Sequence, residues 1–346
     1  MGGEGTSVRM RPALLWSGVS LLLLLAFADA LGAVQRTFYS PSGFVTSYLE
    51  AIADHDVRAA VSMPGAAPTP DALKQAGLPE NASRELLRSD VLPQLTDIAI
   101  VSDRKLASGE HHVAARARVD GRPVTATFAV RPSGSVLGIL PTWSFATTPL
   151  SVARIAVAHA DSFTIAGHTL SPRAAAPGQP PDAFTLSADY LVLAPARYDF
   201  GHTSAYSSAA PAVVTGVPGR VVETTINAQP TPRFAAAVQK QLNSFLDQCA
   251  RQRVLQPAGC PFGVDIDDRV QGAPAWRMVA YPEVRLHPGA TAWTIDQSGG
   301  VVHLSVTVQS LFDGTVQQRE SDERMTVSLT SVTIRPDGSL RIVVAR

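Results

Sequence analysis

The sequence predicts an α+β protein: a leading membrane or export helix, then two helix-and-sheet modules flanking a small β-sandwich. Three observations lead there. An uncharged apolar run opens the chain, and the stretches 37–147 and 231–346 each place an amphipathic helix ahead of strands of period two. Residues 148–230, between them, show no helical periodicity at all.

Arg9 and Arg11 precede the apolar run at 12–28, and Asp29, Ala30 and Arg36 follow it. Basic residues ahead of such a run orient it with its N-terminus inside. A run of this length covers about 25 Å at ~1.5 Å per residue, the short limit of a spanning helix. Ala28-Asp29-Ala30 also fits a small-x-small cleavage site, so a retained anchor and a removed signal both stand. On either reading residues 1–36 are a short cytoplasmic stub with an anchor or signal peptide. The rest is expected outside the cytoplasm, single-pass at the cell membrane or secreted after cleavage. No later stretch approaches 18 uninterrupted apolar residues, so no second span is expected.

Composition narrows the function classes. Basic and acidic residues number 29 each, which gives no nucleic-acid footprint. The strong excess of arginine over lysine goes with abundant Ala and Val and reads as a GC-rich genome, not as phosphate recognition. Twenty-six prolines and 25 glycines suit a chain with many turns. Asn81-Ala82-Ser83 has the form of a glycosylation sequon and is assigned no role. The only two cysteines, Cys249 and Cys260, read as one disulfide in an oxidising compartment. No histidine lies beside them to complete a metal site, and C-x-x-C is absent.

The module at 37–147 begins with Ser40-Pro41, an N-cap followed by proline at the first helical position. Phe44, Val45, Tyr48, Leu49 and Ile52 share one helical face. A second helix is expected over 57–63 and a third over 83–89, after a Pro/Ala-rich loop. Then Val113, Ala115, Ala117 and Val119 alternate with polar neighbours, Asp120-Gly121 turns the chain, and Val124, Ala126, Phe128 and Val130 continue the apolar face. Pro132-Ser133-Gly134 is expected to be a second turn, leading to a strand that reaches Trp143.

The domain at 148–230 holds short apolar runs at Leu150–Ala158, 162–165, 184–193 and 220–226, split by Pro/Gly/Ser loops. That is the pattern of a small β-sandwich. Its loop 171–181 is expected to be flexible by composition. The module at 231–346 opens with Thr231-Pro232 and a helix carrying Phe234, Val238, Leu242, Phe245, Leu246 and Cys249 in one stripe. Strands are expected over 275–281, 284–286, 291–296 and 301–309, with Val302, Leu304, Val306 and Val308 inward. Turns follow at Asp313-Gly314 and Pro336-Asp337-Gly338, and a phase shift between Leu329 and Val332 predicts a bulge. Arg131-Pro132-Ser133-Gly134-Ser135-Val136 echoes Arg335-Pro336-Asp337-Gly338-Ser339-Leu340, which favours two copies of one module.

Helix, helix, then a curved antiparallel sheet resembles the NTF2-like and cystatin-like fold families. The order of anchor, module, sandwich and module is similar to membrane-anchored envelope proteins of Gram-positive bacteria, including the teicoplanin-resistance-associated TcaA type. Leu246-Asp247-Gln248-Cys249 and Cys260-Pro261-Phe262-Gly263 also resemble uncharacterised actinobacterial exported proteins. The chain departs from the TcaA type in having no cysteine before position 249, hence no N-terminal zinc ribbon. What the resemblance implies is an envelope protein; it supplies no catalytic residues.

Candidate sites are weighed on their chemistry. Asp265, Asp267 and Asp268 could offer oxygens to Ca²⁺, but their spacing is not that of an EF-hand loop. His111 and His112 alternate to opposite faces of a strand and cannot share a metal. His303 faces away from its apolar neighbours. Asp54-His55-Asp56 has the look of an acid–His relay, with no nucleophile placed beside it. Trp276, Tyr281, Glu283 and Trp293, with His287 nearby, are the candidate walls of a pocket in the last module. No G-x-S-x-G, phosphate loop, H-E-x-x-H or dinucleotide fingerprint occurs. Neither cofactor nor metal is expected.

The expectation is therefore a non-enzymatic envelope protein, held to the cytoplasmic membrane by its first helix, that binds a protein or cell-wall partner through its terminal module. The alternative is a small-ligand binder or enzyme using an NTF2-like pocket, and a spacer role is a third reading.

Overall fold

The computed structural model describes residue 19 and residues 39–136, 138, 140–335 and 337–344. The expected membrane helix falls at 1–36, outside these residues apart from Val19. Among the described residues no helix is long and apolar enough to cross a membrane. The α+β expectation, with its two NTF2- or cystatin-like modules, is overturned: strands take 48% of the described residues and helices 17%, and the strands form several sheets.

Two compact units make up the chain. One holds the residues up to Arg154 with Asp189–Tyr198 and Val214–Val222; the other holds Ile155–Ala188, Asp199–Val213 and Glu223–Arg346. In the first unit, α1 (Pro41–Ala53), α2 (Val57–Ser62) and α3 (Pro70–Gln75) precede a four-stranded antiparallel sheet. Its strands are β1 (Leu95–Lys105), β2 (His111–Val119), β3 (Arg122–Val136) and β4 (Leu140–Phe145), paired in sequence order.

Local chemistry explains each start. Ser40 Oγ accepts the Gly43 N–H at 3.0 Å, Asp56 Oδ1 accepts from Ala59 at 2.8 Å, and Thr69 Oγ1 accepts from Ala72 at 3.3 Å. Val45, Tyr48, Leu49 and Ile52 are fully buried, and the Tyr48 ring meets Phe128 and Phe145 edge-on at centroid distances of 5.8 and 5.2 Å. Burial drives the Tyr48 phenol far above its ordinary pKa.

Two expectations fail here for identifiable reasons. No α-helix forms over 83–89, and only a 3-10 turn, Ser89–Val91, begins at its end. Ser83 instead makes a parallel bridge to Tyr190, donating its N–H to Asp189 O and accepting the N–H of Leu191 on its own carbonyl, both at 2.8 Å. Tertiary pairing outweighs a weak local helical pattern. Pro132-Ser133-Gly134 is not a turn either. It lies inside β3, where the register slips between Pro132 and Gly134, a bulge that takes the proline without losing the strand. Its echo at Arg335 and Gly338 is a true turn, closed by the Arg335 N–H to Ser339 O at 2.8 Å. The two matching sequences thus do different structural work, and the echo does not mark a repeated module.

Next come β5 (Leu150–Ala158), β6 (Phe163–Ile165), β7 (His168–Leu170), α4 (Pro172–Ala175), β8 (Thr185–Leu193), β9 (Arg197–Thr203), β10 (Ser207–Thr215), β11 (Val221–Asn227) and β12 (Gln229–Pro230). They make one sheet in the order β12-β10-β9-β6-β7 and another in the order β11-β5-β8. The unit boundaries fall within β5, β8, β9, β10 and β11. The 171–181 loop, expected to be loose, is tied together by two side chains. Arg173 donates to the carbonyls of Gln179 and Pro180 at 3.2 and 3.0 Å, and Gln179 bonds Pro172 O, Ala176 O and the Ser187 N–H.

The second unit ends in α5 (Pro232–Ala250) and a sheet of β13 (Arg269–Ala280), β15 (Trp293–Gln309), β16 (Val316–Ile334) and β17 (Leu340–Val344), with β14 (Leu286–Pro288) pairing β15. Thr231 caps α5, and Phe234, Val238, Leu242, Leu246 and Cys249 bury its stripe against Val302, Leu304, Val306 and Val308. Each such side chain contributes roughly 1.5–3 kcal/mol on burial. Two short strands were expected where one continuous β15 runs 17 residues, opposite a β16 of 19. The expected bulge is present: the register of β16 slips between Leu329 and Ser331.

Cys249 and Cys260 are bonded, with Cα atoms 5.7 Å apart. The bridge pins the end of α5 to a loop whose Phe262 packs on Trp276 at 5.1 Å. Closing a 12-residue ring constrains the unfolded chain by about 3 kcal/mol in the chain-entropy model. Cys249→Ser is therefore expected to lower the melting midpoint of the second unit by about 6–12 °C. Calorimetry in oxidising buffer checks this, and an unchanged midpoint would show that the bridge adds nothing.

Candidate functional site

Two features of the second unit have the geometry of sites. The first is a half-open cleft of about 570 Å³, within the size range of ligand pockets. Its wall includes Phe184, Tyr206 and Trp293, and its polar groups include His159, His202 and Ser207. Trp293, 2% exposed, joins His159, Phe184 and Phe234 in one ring cluster with centroids 5.0–6.0 Å apart. His159 Nδ1 lies 3.2 Å from Ala228 O.

β9 and β10 form a hairpin that brings His202 and Ser207 together on the cleft. His202 Nδ1 lies 2.8 Å from the Ser162 carbonyl, which only an N–H can satisfy, so in the neutral ring Nε2 carries the lone pair. Nε2 lies 2.8 Å from Ser207 Oγ and accepts its proton in a hydrogen bond. Ser204 fixes the intervening turn: its Oγ accepts the Ser207 N–H at 2.9 Å and lies 3.1 Å from Ser207 Oγ. Both His202 and Ser207 are nearly fully buried.

The second feature is the tip of the β15–β16 hairpin, residues 310–315. Phe312 is 98% exposed and Leu311 73%. This exposure does not come from a slack loop, because every backbone N–H of the tip has an acceptor. Ser310 donates to Thr315 O, Gly314 to Ser310 O, and Phe312 and Asp313 to Ser310 Oγ. Thr315 donates to Asp313 Oδ1, and Leu311 to Asp268 Oδ1 at 3.3 Å. The Thr315 backbone N–H, then its hydroxyl, holds the Asp313 carboxyl below its ordinary pKa. Asp268 and Asp313 thus place negative charge beside a fixed apolar projection.

The residues singled out in the sequence are dispersed. Trp293 lines the cleft, whereas Trp276 is core, its indole N–H donating to Val254 O at 2.8 Å. Tyr281 is exposed and donates its hydroxyl to Asp247, a bond that raises the phenol above its ordinary pKa. Glu283 is exposed and pairs with Arg285 at 3.0 Å. His287 pairs with Asp296 at 3.3 Å. Asp265 accepts from Gln256, and Asp56 caps α2. His111 pairs with Asp103 and His112 with Glu110, and His303 pairs with Asp322 across β15 and β16. No group of three or more His, Cys, Asp or Glu side chains that could hold a metal ion occurs among the described residues.

His202, Ser207 and Phe312 carry little sequence signal. A His and a Ser flanking a short turn become partners only when both flanks are strands, and Gly201 and Pro211 mask that pattern. Comparison with models of protein families, with curated proteins and with solved structures finds no match to this chain.

Proposed function

We propose that this chain is an extracytoplasmic envelope protein that binds a partner protein through its terminal unit, with the β15–β16 tip as the contact. The observation that carries the reading is Phe312, almost wholly exposed on a backbone with all its donors satisfied. A large apolar side chain held out in water gains free energy when it is buried in a partner. A pre-ordered anchor also loses little entropy on binding. Asp268 and Asp313 at its base favour an apolar pocket edged by Lys or Arg. The disulfide supports an oxidising compartment, and the Arg-flanked run at 12–28 supports tethering to the membrane or export.

A photo-crosslinking side chain at position 312 of the full chain tests this in an extract of its own envelope. The expected result is one adduct protein, crosslinked at an apolar pocket with basic edges and competed away by unmodified chain. Phe312→Ser is expected to weaken that binding by about 30-fold or more, the scale of a hot-spot anchor, with melting unchanged. Equal affinity of the Phe312→Ser variant, or Phe312-dependent sedimentation with protein-free phosphatidylglycerol vesicles in place of the adduct, would overturn the reading.

A further inference from the structure

We infer that Ser207 is a nucleophile with His202 as its base, and that the cleft around them takes a small carboxylic ester. Two independent observations meet here. The first is the arrangement itself: an oxygen nucleophile 2.8 Å from Nε2, on a ring whose other nitrogen is held at 2.8 Å by the Ser162 carbonyl. A nucleophile, a base and a third group that fixes the tautomer of the base are the parts that activated-serine chemistry requires. The carbonyl here takes the orienting place that a carboxylate takes elsewhere.

The second is the setting. Both side chains line a cleft of about 570 Å³, and although each is nearly fully buried, the cleft wall is where a small molecule would meet them. Phe184 and Tyr206 on the same cleft offer apolar surface for an acyl or alcohol group. The Ser204 hydroxyl donates to the Ser207 carbonyl at 3.0 Å and accepts the Ser207 N–H at 2.9 Å, so it holds the backbone of the nucleophile in place. None of this depends on the hairpin tip.

The reaction balances with water alone as co-reactant. Ser207 Oγ adds to the ester carbonyl carbon as its proton passes to His202 Nε2. The bond from that carbon to the alcohol oxygen then breaks, and the alcohol leaves with the proton from Nε2. Water adds to the acyl carbon, giving a proton to Nε2. The carbon–Oγ bond breaks, Ser207 regains a proton from Nε2, and a carboxylic acid departs.

The test uses the full chain with a fluorophosphonate probe, peptide mass spectrometry, and p-nitrophenyl acetate hydrolysis. The expected result is a phosphonyl adduct on Ser207, with hydrolysis reduced about 100-fold or more in Ser207→Ala and in His202→Gln. If His202→Gln does not fold, the adduct on the unaltered protein and the Ser207→Ala rate still decide. Absence of an adduct on Ser207 in folded protein, or a Ser207→Ala rate within about twofold of the unaltered protein, would overturn the proposal and leave the pair as a hairpin staple.

Discussion

Trp293→Ala is expected to destabilise the second unit by about 3–5 kcal/mol, the cost of deleting a buried indole with partial collapse of the cavity. Trp293 stands at the start of β15, opposite Pro288 of β14 and Val332 of β16, and is 2% exposed. Its ring meets Phe184, Phe234 and His159, so its loss removes contacts to α5 and to the cleft wall together. Trp293→Phe keeps an aromatic ring in the cluster and is expected to cost less than about 2 kcal/mol. Urea unfolding followed by near-ultraviolet circular dichroism measures both. A loss under about 1 kcal/mol for the alanine variant would mean that the ring cluster does not hold the unit.

Gly65→Ala should be comparably damaging in the first unit, by about 3–4 kcal/mol. A methyl group there would sit 2.4 Å from the Phe145 carbonyl oxygen and 2.8 Å from its nitrogen. Both are backbone atoms of β4 and cannot rotate away, while the Phe145 N–H donates to Pro64 O at 2.9 Å across the same approach. Overpacking adds about 1–3 kcal/mol, and the backbone of Gly65, with φ at +80°, adds a further 1–2 kcal/mol of strain for an L residue. Gly77→Ala is the control. Gly77 has φ at +70° and nothing within 4 Å of the added carbon, so only the strain is expected. Equal melting shifts for the two variants would show that the close approach to β4 carries no cost.

Parts of the fold were legible because they depend on neighbours in sequence. Ser40-Pro41 and Thr231-Pro232 start helices because the cap and the proline act within one turn. Alternation over Val113–Val119 and Val302–Val308 marks the buried faces because side chains in a strand alternate strictly. Cys249 and Cys260 are bonded, the pairing read from their being the two cysteines of the sequence. The β-rich balance was not legible. Ser83 forms a bridge and not a helix, and its partner Tyr190 is more than a hundred residues away. Pro132 sits in a strand because a bulge accommodates it. Of the four residues suggested for a pocket wall, only Trp293 reaches the cleft, since direction from a sheet depends on which layer covers each face.

By itself the sequence determined the apolar lead segment, the charge balance, the caps, the disulfide and the inward faces at 113–119, 124–130 and 302–308. All are set by composition or by contacts a few residues long. Tertiary structure alone decided that strands outweigh helices, that His202 meets Ser207 on the cleft wall, and that Phe312 projects from a braced tip. Those outcomes depend on pairing and burial between distant segments, and no local pattern encodes which distant segment will arrive.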